Sequence, residues 1–171
     1  MLYFLRYFWY ALLVVVFQVF VLNQLDLPFG GQLVIAPLFI VLLPFDTPPF
    51  LLLLIGFTLG MILDMFMNTF GLNASTLVFF SFMRPIVFNW FRPKEEYDGT
   101  KIPSIREMGW VWFLSVYSLL SFSFFIWFFL LEIFRLSEID LILRNSFSSF
   151  LYSLAFTLLF QYFYVGVNAK K

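Results

Sequence analysis

From Phe50 to about Met67 the chain is apolar apart from one charge, Asp64, and that carboxylate stands in register with Gly56, Gly60 and Asn68. Each step is four residues, so the four positions share one face of a helix. A run of this length and character is a membrane span. A carboxylate at the middle of a span costs roughly 2.5 to 3.5 kcal/mol on insertion scales, falling toward the interface, and Asp64 lies about 6 Å from the end near Asn68. The stripe predicts a packing seam, in which glycines admit a neighbouring backbone and Asp64 meets a partner or a polar cavity. Taken alone, the Gly56–Gly60 pair would only thin one face.

The setting is membranous throughout. Apolar residues make up 63% of the 171, aromatics 24% and charged residues 12%, with a mean hydropathy of +0.96. That is far from a soluble domain. Ten basic and ten acidic residues cancel without forming a dense basic run, so the electrostatic footprint of nucleic-acid binding is missing. The chain has neither Cys nor His. Thiolate chemistry, thiolate zinc sites, histidine triads and HExxH metal sites are therefore excluded, and no catalytic, cofactor or metal-ligating residue is expected.

Six apolar runs organise the chain, expected as spans at about 7–22, 33–45, 50–67, 74–91, 110–131 and 146–165. The second is short and holds Pro37 and Pro44, which leaves a re-entrant segment, a short tilted span or an extended helix open; a short span is the expectation. Asp46 to Pro49 form a turn, and Gly71 with two asparagines forms another. Residues 92–107 carry eight of the twenty charges and make the main aqueous loop. With six spans and both termini on the cytoplasmic side, seven basic residues lie inside (Arg6, Arg92, Lys94, Lys101, Arg106, Lys170, Lys171) and two outside (Arg135, Arg144), as the positive-inside rule requires. The expected architecture is one all-α transmembrane domain, a six-helix bundle over residues 1–171.

Arg84, followed by Pro85, is the second charge within a span. It lies about 10 Å from Asp64 in depth, so it either pairs with Asp64 or snorkels to the inner headgroups while capping carbonyls that Pro85 frees. The last run carries Ser146, Ser149, Ser153, Thr157 and Gln161 at steps of three and four. Such a stripe packs helices through hydrogen bonds or walls a substrate cavity, and Ser115, Ser118 and Ser121 fit either role.

The stretch LLPFDTPPFLLLLIGFTLGMILDMFMNTFGLNAS, Leu42 to Ser75, followed by FMRPIVFNWFRP, Phe82 to Pro93, resembles the rod shape-determining protein MreD family. The turn after a proline-bearing second segment, the spacing of Gly60 and Asp64, and Gly71 beyond them carry the resemblance, together with length and the six-span layout. It implies a non-enzymatic subunit of the cell-elongation machinery in the bacterial inner membrane, associated with MreC and through it with MreB, RodA and a class B penicillin-binding protein. It also implies a fold similar to the S components of energy-coupling-factor transporters. On this reading Gly56, Gly60, Asp64, Asn68, Gly71, Arg84, Pro85, Ser149, Ser153 and Thr157 serve helix packing or partner interaction, and membrane lipid is the other neighbour. Two alternatives stand beside it: an S component capturing a small vitamin-like substrate, and a lipid-modifying enzyme built on Glu132, Glu138 and Asp140.

Overall fold

The computed structural model describes residues 2–91 and 102–168 and, among them, is all-helical. The helices are α1 (Leu2–Phe20), α2 (Ala36–Val41), α3 (Pro49–Met67), α4 (Leu72–Trp90), α5 (Ile105–Met108), α6 (Trp110–Ile133) and α7 (Ile139–Asn168). Three stretches are long and apolar enough to cross a membrane: Tyr7–Gln24, Pro49–Met67 and Trp110–Ile133. The chain is therefore a membrane protein. Helices α4 and α7 match them in length, but their apolar runs are diluted by the polar side chains they bury, among them Asn73, Arg84, Ser149 and Gln161. Residues 92–101 of the expected loop, and Lys170 and Lys171, lie outside the described residues.

The most extensive helix contact is between α3 and α4; α4 also packs on α6 and α6 on α7, while α1 lies against α3. The space from α7 back to α1 is spanned by the segment between α1 and α3. This second run is not a continuous helix, contrary to expectation. It runs as a turn at Pro28–Gly30, a non-helical stretch that is extended at Gly31 and enters the helical region at Ile35, the six-residue α2, and irregular backbone to Pro48. Pro37 suits the first turn of α2, where its missing N–H costs nothing. Pro44 and Pro48 prevent the helix from continuing. Helix α2 sits inside the bundle, with Ala36, Ile40 and Val41 fully buried, against α1, α3 and α4.

Helix α7 starts at Ile139, earlier than the expected Ser146, because Asp140 falls in its first turn where an acid favours the helix N-terminus. The α3–α4 turn follows its sequence closely. Asn68 (φ 54°) ends α3 in the left-handed region and Gly71 (φ 90°) opens α4 from it. Between the two helices the glycine stripe faces inward. A Cβ on Gly60 would lie 2.6 Å from the Ala74 nitrogen, and one on Gly56 2.7 Å from the Leu77 carbonyl oxygen, so both glycines are required by backbone contact rather than by torsion.

Gly60→Ala should accordingly cost about 1–3 kcal/mol, the range for forcing extra atoms into a packed core. Gly71→Asn should cost less, because nothing lies within 4 Å of a Cβ there and the strain comes from φ 90° alone, a left-handed conformation that Asn tolerates better than most residues. Thermal unfolding of the two variants in detergent checks the difference; equal losses would refute it.

Candidate functional site

Two buried charges, Asp64 and Arg84, and the polar stripe of α7 find partners in the backbone inside the bundle. At the α3–α4 turn, Asp64 accepts hydrogen bonds from the backbone N–H groups of Asn73 and Ala74, both at 2.9 Å, from Asn73 Nδ2 at 3.1 Å and from the Thr69 hydroxyl. The carboxylate of one helix thus caps the first turn of the next, where otherwise unpaired N–H groups and the helix dipole both favour an anion. Its insertion cost is offset locally. The sequence foresaw a partner for Asp64, and the partner is the neighbouring helix's own N-terminus.

Arg84 neither pairs with Asp64 nor snorkels. Its side chain is 1% exposed, and Nη2 donates toward the carbonyls of Val41 at 3.3 Å, Pro44 at 3.2 Å and Leu43. The carbonyls of Val41 and Leu43 are left over where α2 ends, while that of Pro44 also accepts from the Thr47 N–H at 3.2 Å and the Thr47 hydroxyl at 2.7 Å. The guanidinium carbon also lies 4.5 Å from the Phe88 ring centroid, and Phe88 packs with Phe45 and Trp112 at 5.2 and 5.4 Å. The correction has a simple cause. Pro85 lacks an N–H within the continuous helix α4, but the carbonyls that Arg84 reaches belong to the broken second segment.

The non-helical stretch before α2 is braced from both sides. Ser149 and Ser153 of α7 accept from the N–H groups of Gln32 at 2.8 Å and Val34 at 3.1 Å. On the opposite edge, Gln18 of α1 donates to the Leu33 carbonyl at 2.9 Å and accepts from the Ile35 N–H at 2.8 Å. Thr157 donates to the Tyr117 hydroxyl at 2.9 Å, and Ser146 to the Phe125 carbonyl at 3.1 Å. The stripe on α7 therefore serves helix packing at its two ends and supports the non-helical stretch between them. Gln161 continues it, fully buried, with neither side-chain amide atom bonded.

Gln18 was not singled out from the sequence. Its signal was the one Asp64 gave, a lone polar side chain within an apolar run. Of the outer acids, Glu138 forms an exposed pair with Arg135 at 3.4 Å, and no cluster of three or more metal-ligating side chains occurs among the described residues.

Beside α2 lies a cavity of about 410 Å³, walled by Tyr7, Val14 and Phe17 of α1, Leu38 and Leu42 at α2, and Phe156 of α7. The site as a whole is an apolar interior in which buried polar side chains meet particular backbone N–H and carbonyl groups, in an all-helical membrane protein. No family model matches the chain, and no curated protein or solved structure matches it.

Two expected outcomes follow from the charges. Asp64→Asn turns an amide donor toward one of the two capped N–H groups and should cost about 1–3 kcal/mol, read as a lower midpoint of unfolding; an unchanged midpoint would remove Asp64 from the cap. Arg84→Leu removes the donor to the carbonyls of Val41 and Leu43, leaving Pro44 its bonds from Thr47, and should raise hydrogen exchange selectively in residues 42–48. Exchange rising evenly along the chain, or not at all, would contradict that assignment.

Proposed function

We propose that the chain is a non-enzymatic membrane subunit of the bacterial cell-elongation complex, a six-span protein of the inner membrane with both termini cytoplasmic. It binds MreC and through it MreB, RodA and a class B penicillin-binding protein. The single observation that supports this reading is that Gly60, Asp64 and Gly71, which carry the resemblance to the MreD family, act together in one hairpin. Gly60 admits the Ala74 backbone, Asp64 caps α4, and Gly71 turns the chain between them. Residues so used organise the bundle internally. The partner's single spanning helix then docks on an outward face, such as the α3 stripe of Phe50, Leu54, Phe57 and Met65, all exposed. In the six-span arrangement the second crossing is the partly extended segment from Gln32 to Pro48.

The S-component alternative calls for a polar or aromatic pocket and affinity for a small ligand. The 410 Å³ cavity has the aromatic side chains but few polar groups to fix a vitamin.

Pulldown of the tagged full chain from crosslinked membranes tests the reading. Recovery of MreC is the expected result. Recovery of a transporter ATPase module, together with a stoichiometric small molecule in native mass spectra, would replace this proposal with the transporter one.

A further inference from the structure

The cavity beside α2 has dimensions that select an occupant. Along α1 its wall runs from Tyr7 to Phe17, ten residues or about 15 Å. That is half of the roughly 30 Å hydrocarbon thickness of a bilayer, so the cavity covers the depth of one leaflet. At one end of this wall Phe17 and Phe156 pack with ring centroids 6.1 Å apart. Its other end carries Tyr7 and Tyr10, an aromatic type that settles at the membrane–water interface, beside Ile102. The side is open: Leu13, which lines it, is 64% exposed.

Volume narrows the choice further. An apolar cavity of about 150 Å³ takes one benzene ring, and on that scale 410 Å³ takes about sixteen carbons. The lining is almost wholly apolar and the cleft opens sideways past Leu13, so a single extended hydrocarbon chain can enter it.

We infer that this cleft holds one acyl chain of a phospholipid, drawn from the leaflet on the side where α1 begins, with the headgroup at the level of Tyr7 and Tyr10. The inference is independent of the partner reading above. Leu38 and Leu42 at the back wall and Val14 and Phe156 at the sides contact the chain, and its cohesion with them is van der Waals packing.

The test uses the full chain reconstituted in phosphatidylethanolamine–phosphatidylglycerol vesicles. Native mass spectrometry after mild extraction should show one retained phospholipid. Val14→Trp, which fills the cleft, should reduce retention by about tenfold or more, a loss of about 1.4 kcal/mol or more in binding; Leu12→Trp, exposed and outside the lining, should leave it unchanged. Leu42→Phe narrows the cleft from the opposite wall and keeps the comparison available if Val14→Trp does not fold. In the wild type, a phospholipid spin-labelled near the chain end should give an immobilised component. Equal retention in wild type and both cleft variants, a mobile spectrum in the wild type, or a dimer mass without lipid would overturn the inference.

Discussion

Residues 32–35 form a non-helical course held between two helices, and the polar side chains of α1 and α7 are arranged around its hydrogen bonds. Two residues of extended backbone rise about 6.6 Å and four residues of helix about 6 Å, so Ser149 and Ser153 on α7 meet the N–H groups of Gln32 and Val34 in register. The intervening groups point the other way. Gln18 on α1 takes both Leu33 and Ile35 there with one amide. Backbone that is neither helical nor closed into a barrel survives at membrane depth only when protein supplies its partners, and three side chains from two helices do so here.

The same logic governs the two buried charges. Neither is neutralised by the other, and each is spent on backbone ends. Asp64 meets N–H groups at the start of α4, and Arg84 meets carbonyls beyond the end of α2, so each charge faces the dipole end of the sign it needs. A direct ion pair would have left both helix ends unsatisfied in a medium where each such group costs several kcal/mol. The charges are therefore structural elements of the hairpin and of the break in the second segment.

Much of this was legible in the sequence where the partners are local. Gly56, Gly60, Asp64, Asn68 and Gly71 span sixteen positions, and their spacing alone placed them on one seam and one turn. The groups that Asp64 binds lie within ten residues of it. Arg84 and the non-helical course were harder to read, because their partners are separated by about 40 residues in one case and 117 to 119 in the other. Hydropathy marked residues 33–45 as apolar, and the two prolines marked them as interrupted. Nothing local told that Gln18, Ser149 and Ser153 would make a non-helical course affordable there.

The interrupted segment also explains the cleft. A straight helix across residues 33–45 would occupy the gap from α7 to α1 over its whole depth. Instead the non-helical course closes only the part of the gap near Ser149 and Ser153. Beyond it, α2 is drawn inward against α3 and α4, where Arg84 holds the carbonyls at its end. Its side chains Leu38 and Leu42 then become the back wall of an opening rather than its filling. A bundle that buries its second segment in this way exposes apolar surface at its own perimeter. In a bilayer the medium available to cover such a surface is hydrocarbon, so the arginine that fixes α2 in the interior also sets the shape of the space left beside α1.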